Sequence, residues 1–340
     1  MQKKTKIIVF STITLTLILF IVVALVYSNR CHYTSFLTKW FNTTTINDKA
    51  KGDTIPPTVY ALPIEVKVGE HPDYRKNLRM FDNSKVVKLH IDSSQVNTQQ
   101  PGDYIVKYIV SDTTGNSTTK NIPVQVYDPN HKIIYLTFDD GPSVNTPKIL
   151  QILRENNVHA TFFITAQWPQ CLPYITQAYK EGNAIAAHSY THNFDIYKSE
   201  KAYFDDLEKI EQVIEKYTGH RTPLIRFPGG SSNKVSKKRF GHNIMPTLMK
   251  KVMWRGYQFI DWNIDSEDAR SNHVPVATLV RNACHDYHPR LCLLMHDAGG
   301  KGTTVEALPY IISYFKSKGY DFGTITSPAF YCHHNLANIY

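Results

Sequence analysis

Two hydrophobic periodicities follow one another along this chain. Over residues 55–128 apolar side chains recur at every second position. Ile64, Val66 and Val68 alternate with Glu65 and Lys67, and the run from Tyr104 to Val110 keeps the same period. Ile122, Val124 and Val126 form a further apolar face after the turn cluster at 112–116. A period of two puts alternate side chains on one face of a strand, and short strands at this spacing without helices between them predict a small β-sandwich. From Ile133 the pattern changes. Apolar runs at 133–138, 161–164, 184–187, 224–227, 257–262 and 291–295 read as strands, and helices are predicted at 146–156, 172–181, 200–217 and 276–285. Such alternation predicts a parallel sheet or barrel with its functional residues at the strand C-termini.

Ahead of both patterns lies an uncharged run, residues 7–27, preceded by Lys3, Lys4 and Lys6. At about 1.5 Å per residue it reaches about 31 Å, enough to cross a bilayer core. The lysines favour a cytoplasmic N-terminus with the remainder outside. A transmembrane anchor over 1–28 is the preferred expectation, and a signal peptide cleaved near Val26-Tyr27-Ser28 is the alternative; both export the chain. The polar stretch 29–54 reads as a linker ended by Pro56-Pro57, which leaves 55–128 for the sandwich and 129–335 for the α/β domain.

Composition adds little to this division. Of 340 residues, 42% are hydrophobic and 20% charged, as in ordinary globular chains. The net charge of +9 fits a polyanionic neighbourhood such as a cell wall or membrane surface, and fits a plain basic surface equally. No basic-aromatic stripe suggests a nucleic-acid partner. Cys31, Cys171, Cys284, Cys292 and Cys332 all lie in the exported part, where disulfides are permitted and an odd count leaves one thiol over. Cys284 and Cys292 are near enough in sequence to pair. No Cys-x-x-Cys spacing supports a cysteine-ligated metal.

Candidate chemistry collects where the second set of apolar runs ends. Asp139 and Asp140 leave the first run ahead of Gly141-Pro142. Neighbours at a strand end point apart, so one carboxylate can face an ion and the other a water. His188 and His192 have the i, i+4 spacing that sets two imidazoles on one face of a helical turn. Two imidazoles and a carboxylate suit a borderline divalent ion such as zinc, and three protein ligands leave a position for water. His296, after the last run, can give a proton to a leaving group. Arg226-Phe227-Pro228-Gly229-Gly230 and Asp265-Ser266-Glu267-Asp268 fall at two further run ends. Together the pieces describe metal-assisted hydrolysis.

The order of these motifs, over roughly residues 131–330, resembles the NodB-homology polysaccharide deacetylases, carbohydrate esterase family four. The resemblance implies a distorted, incomplete (β/α) barrel and metal-dependent removal of acetyl groups from N-acetylated sugars. For an exported enzyme the expected substrate is N-acetylglucosamine in peptidoglycan. Chitooligosaccharide deacetylation and O-acetyl ester hydrolysis on xylan are the enzymatic alternatives, and a non-catalytic wall-binding protein is the other. The resemblance further implies Asp140, His188 and His192 as ligands of Zn2+ (or Co2+ or Mn2+), Asp139 as general base and His296 as general acid. Asp268 would tune His296 through a basic partner. Arg226 and Pro228 would wall the groove, Gly229 would offer its backbone N–H to the oxyanion, and Leu294 would line the acetyl-methyl pocket. The chain departs from the family pattern twice. Ala269 stands where a tryptophan usually follows Asp268, which makes Trp262 the candidate replacement. His159 stands in the place of the basic partner, and its charge is not permanent. Asp140 is intact, against a muramic-acid subgroup that replaces it. The segment 101–116 resembles bacterial immunoglobulin-like modules, which implies a spacer or wall-binding role for residues 55–128.

Overall fold

The computed structural model describes residues 52–84 and 86–334. The expected anchor, Cys31 and nearly all of the linker lie outside them. Among the described residues no helix is long and apolar enough to cross a membrane.

Among the described residues the first module holds six strands: β1 (Thr58–Tyr60), β2 (Ile64–Lys67), β3 (Arg79–Phe81), β4 (Val86–Asp92), β5 (Gly102–Asp112) and β6 (Ser117–Tyr127). β1 pairs with β3, and the others form a sheet in the order β2-β6-β5-β4. Period two decides which side chains turn inward. Val106, Tyr108 and Val110 of β5 pack with Ile122, Val124 and Val126 of β6 and with Val59 and Val66, while Ile105 faces solvent. Burying each such side chain contributes about 1.5–3 kcal/mol before conformational entropy is counted.

The second module is a ring of parallel strands. β7 (Ile133–Asp139), β8 (Thr161–Thr165), β9 (Ala184–Ser189), β10 (Leu224–Ile225) and β11 (Gln258–Phe259) pair in chain order. β12 (Ile264–Asp265) pairs with β13 (Arg290–His296), which closes on β7 over its whole length. β14 (Asp321–Gly323) joins the start of β7. The ring is therefore open between β11 and β12. Helices α1 (Thr146–Glu155), α2 (Pro173–Lys180), α3 (Glu200–Thr218), α4 (Val235–Phe240), α5 (Met245–Trp254), α6 (Val276–Ala283) and α7 (Gly302–Ser317) fill the connections. On β7 and β13 the outward residues Ile134, Leu136, Phe138, Leu291, Leu293 and Met295 join the helices in the main core. The inward Tyr135 and Cys292 join Phe163, Ala186, Leu224 and Ile260 in a small inner one.

Two expectations are corrected here. The run 257–262 is not one strand, because its pairing ends at Phe259. The carbonyls of Ile260 and Asp261 instead accept from Arg226 Nε (3.0 Å) and Nη2 (2.9 Å), and the Asp261 N–H donates to the Cys332 carbonyl (2.6 Å). A side chain and the C-terminal segment thus satisfy the backbone groups a neighbouring strand would take. Cys284 and Cys292 do not pair either. Cys284 packs on the outer core and Cys292 on the inner one, so the sheet separates them, and the four described cysteines are free thiols. α4, α5 and α7 carry no expectation above. In α5 the buried Met245, Leu248, Met249 and Val252 do hold helical spacing, whereas Pro309 inside α7 interrupts an otherwise apolar segment.

The modules meet at the N-terminal pole of the ring. Arg290, the first residue of β13, pairs with Glu65 at 2.8 Å and donates to Gln125. Its guanidinium lies over the rings of Tyr127 and Phe330. Tyr331 donates its N–H to Glu65 and its hydroxyl to the Pro63 carbonyl. Burial pushes the Glu65 carboxyl up in spite of Arg290. The strand from Arg290 to His296 spans about 20 Å, so the sandwich sits at the far end of the ring from the strand C-termini.

Candidate active site

Asp139 ends β7 pointing into the ring, and Asp140 leaves it with φ +71°. Their carboxylates consequently diverge. Asp140 Oδ1 lies 3.1 Å from His192 Nε2 and 3.5 Å from His188 Nε2, and these three atoms fall within 4.8 Å of one another. Asp140 Oδ1 is buried with no hydrogen-bond partner among the described residues. An orphaned carboxylate oxygen is costly unless something positive meets it. His188 Nδ1 donates to the Arg226 carbonyl at 2.8 Å, which fixes the tautomer with Nε2 free. Burial holds the His188 imidazole below its usual range, against the pull of Asp139 and Asp140, so its lone pair is available at neutral pH. The donor set fits a divalent cation.

The two histidines do not share a helical turn, contrary to the spacing argument. His188 belongs to β9, and His192 follows in a loop with φ +51°. The loop is shaped from a distance by Asp206 of α3, a residue the sequence reading passed over. Asp206 accepts from Ser189 Oγ (2.7 Å), Tyr190 N (2.8 Å), Thr191 N (3.1 Å) and Thr191 Oγ1 (2.7 Å), and Ser189 Oγ in turn accepts from the His192 N–H. Asp206→Ala is expected to weaken metal affinity about 10–100-fold, the usual cost of losing an outer-shell partner. Titration with a chromophoric chelator measures this.

A second buried carboxylate shapes the aspartate turn. Asp297 accepts from Ser143 Oγ and Thr146 Oγ1, and its N–H donates to the Asp139 carbonyl at 2.7 Å. Burial pushes its carboxyl up to about 7 despite those donors. A Cβ on Gly141 would stand 2.4 Å from Asp297 Oδ2, so only glycine lets the turn approach this closely.

Arg226 is fully buried and belongs to the interior of the ring more than to a groove wall. Its Nη1 donates to Asp139 Oδ1 (2.8 Å) and to Thr137 Oγ1 (2.8 Å), while Nε and Nη2 close the open seam. Burial works to lower its pKa, but the charge and hydrogen bond of Asp139 together with the nearby cysteines hold it raised. With Oδ1 engaged, Asp139 keeps Oδ2 toward His188 Nε2 at 3.9 Å.

His296 ends β13 beside Asp139 of β7, its register partner. Its Nδ1 donates to Asp268 Oδ1 at 2.6 Å, and its backbone N–H donates to Oδ2 at 2.8 Å. Thr304 Oγ1 also donates to Oδ2. Although burial disfavours the charged ring, Asp268 and the charges of Asp139 and Asp140 push the His296 imidazole up to about 9. Asp268 is held below its usual range because these bonds outweigh its own burial. The pairing is direct. His159 plays no part as intermediary: it is exposed and lies against Gly182. The cation beside Asp268 is Lys301, whose Nζ donates to the Asp268 carbonyl (2.7 Å) and the Ser271 carbonyl (2.9 Å). Nothing in the Asp268 motif marks a lysine 33 positions further on.

The remaining candidates surround this centre. Pro228 is buried, and its carbonyl accepts from Tyr197. Gly229 is exposed with φ +78°, next to Gly230 with φ +77°. A Cβ on Gly230 would meet the Trp262 ring at 2.9 Å, so Trp262 packs on the loop that carries Gly229. Leu294 shares the inward face of β13 with Cys292 and His296. Ala269 is exposed in the turn after Asp268.

Comparison with known proteins agrees with this arrangement. Residues 127–243 match the family model described as polysaccharide deacetylase, and residues 63–126 match the one described as bacterial surface protein, Ig-like domain. A peptidoglycan-N-acetylglucosamine deacetylase of Bacillus cereus is 32% identical over 210 residues, covering 60% of this chain and 72% of that protein. The chain belongs to the polysaccharide deacetylase family. Among solved structures, the catalytic domain of a peptidoglycan N-acetylglucosamine deacetylase from Eubacterium rectale aligns with TM-score 0.59 and 40% identity, over 62% of this chain and 96% of that one. A polysaccharide deacetylase from Bacillus cereus aligns with TM-score 0.54 and 30% identity, over 62% and 100%. As in that family generally, the catalytic module is a curled, incomplete barrel, and this deacetylase is a hydrolase acting on acetylated polysaccharide.

Proposed function

We propose that this protein removes acetyl groups from N-acetylglucosamine residues of peptidoglycan, outside the cell and held to the membrane by residues 7–27, with Zn2+ as the resident ion. The observation that carries the reading is the buried Asp140 oxygen, without a hydrogen-bond partner among the described residues, facing two imidazole Nε2 atoms, flanked by Asp139 on Arg226 and His296 on Asp268. The activity of the relatives supplies the glycan. Asp140, His188 and His192 would hold a divalent cation, which when bound supplies the Lewis acidity that polarises an amide carbonyl and acidifies water. Asp139, held at Oδ1 by Arg226, takes the water's proton at Oδ2. The Gly229 N–H donates to the oxyanion, a role that suits a fixed backbone group. His296, kept protonated by Asp268, gives its Nε2 proton to the departing amine. Leu294 receives the acetyl methyl, and Pro228 and Trp262 line the sugar side.

The test is acetate release by the purified chain from N-acetylglucosamine oligomers, peptidoglycan and acetylated xylan, each with zinc, cobalt or manganese. Release from the amide substrates is expected. Release from xylan alone would replace the amidase reading with an esterase one. Surface attachment is tested by protease shaving of intact cells, which should liberate the catalytic module. A mature chain starting near residue 29 in the medium would leave export without an anchor.

The Ig-like module touches the pole away from this chemistry, so a fragment starting at Pro129 should turn over soluble oligomers as the longer chain does. It should also melt at lower temperature, because the contacts of Arg290 and Tyr331 with Glu65, Gln125, Tyr127 and Pro63 are lost. Thermal melts and oligomer kinetics on both lengths check the pair of statements.

A further inference from the structure

The geometry points to a disulfide between Cys292 and Cys332 that clasps the C-terminal segment over the open seam of the barrel. Cys292 sits at 1% exposure on the inward face of β13, and Cys332 packs against the same inner core. Both are anchored to one residue, Asp261. Its N–H donates to the Cys332 carbonyl at 2.6 Å, and its carbonyl lies 3.4 Å from Cys292 Sγ. Arg226 Nη2 stands 3.6 Å from the Cys292 sulfur. Two cysteines on one small core, from segments 40 positions apart and both hydrogen-bonded to the backbone of a common residue, need little rearrangement to be bridged. Cys332, the more exposed of the two, makes the first attack, and the guanidinium beside Cys292 favours the thiolate that then resolves the mixed disulfide.

What the clasp would hold is specific. The Cys332 segment crosses the gap where β11 and β12 do not pair. It also carries Tyr331 on Pro63 and Glu65 of the Ig-like module. His334 sits on the Asp261 carboxylate and edge-on to Trp262. A covalent tie at Cys332 would therefore fasten the seam, the module junction and the Trp262 side of the groove together. The step balances as thiol–disulfide exchange. One thiolate attacks a small-molecule disulfide and releases one carrier thiol. The second cysteine loses its proton, attacks the mixed disulfide and releases the other. Two protein thiols become one disulfide, and the carrier disulfide becomes two thiols. An extracytoplasmic location would keep the bond formed.

The experiment incubates the full chain with oxidised glutathione, maps disulfides by non-reducing peptide mass spectrometry, and compares melting with a dithiothreitol-treated sample. A Cys292–Cys332 peptide is expected, with the oxidised form melting about 5–15 °C higher. Cys332→Ser should abolish that increment while still binding metal. Cys292→Ser with retained fold should do the same. Finding both cysteines alkylated as free thiols after oxidation overturns the proposal. So does Cys332 bridged to Cys31, Cys171 or Cys284, or a Cys292–Cys332 bond that leaves the melting temperature unchanged.

Discussion

Asp139→Asn should lower turnover about 10²–10⁴-fold, the range of a general base, while metal stays bound. Asparagine keeps the Oδ1 acceptor for Arg226 but cannot take a proton at the other atom. Asp140→Ala, His188→Ala and His192→Ala differ in kind: each removes a donor from the cluster, so metal content and activity should fall together. A secondary effect separates Asp139 from a residue that only meets water. Arg226 is buried, and losing the anion from a buried pair costs about 3–5 kcal/mol when nothing replaces it. Here Thr137 Oγ1 and the carbonyls of Ile260 and Asp261 remain, so the cost should sit below that range. Acetate release, metal analysis and thermal melts on one preparation give all three readouts. If Asp139→Asn emptied the site of metal, the two aspartates would have the opposite roles.

The metal cluster could be read from the chain because its residues lie next to strand ends, where local order predicts position. Asp139 and Asp140 follow an apolar run, and His188 closes another. What holds those residues was hidden for the opposite reason. Asp206 serves the histidine loop from the middle of a helix, where an acidic residue reads as ordinary surface. Lys301 and Thr304 reach Asp268 from beyond the last predicted strand. The i, i+4 spacing of His188 and His192 suggested a helix because spacing alone carries no backbone angle. Asp206 holds the loop instead, accepting from the Tyr190 and Thr191 N–H groups and from the hydroxyls of Ser189 and Thr191. In the same way the run 257–262 is apolar enough for a strand, but the competing acceptor demand came from an arginine in another motif. The sandwich was easier, since period two in β5 and β6 is a property of the local chain alone.

His296→Ala should cost about 10²–10⁴-fold on an amide substrate with metal retained, and Asp268 should set the pH at which His296 works. The groups facing His296 are Asp268, Asp139 and Asp140, and all three favour the charged ring against its burial. With its pKa near 9, the imidazole is protonated through neutral pH, and the alkaline limb of kcat should fall near pH 9. Asp268→Asn removes the largest favourable contribution and should move that limb toward the ordinary histidine value of about 6.5, lowering the rate about 30-fold at pH 8 and much less at pH 6. The stability linkage has the same sign. A folded-state pKa raised above the unfolded one contributes stability that is complete below about pH 6.5 and is lost as pH rises through about 9. The wild type should therefore lose melting temperature across that window more steeply than Asp268→Asn. Because the amine is a poor leaving group and an alcohol needs less protonation, both variants should lose less on an O-acetyl ester than on the amide. Profiles of kcat and melting temperature from pH 5.5 to 10 decide the matter. An unshifted alkaline limb in Asp268→Asn would assign that limb to another group and leave Asp268 as a purely structural anchor for the turn.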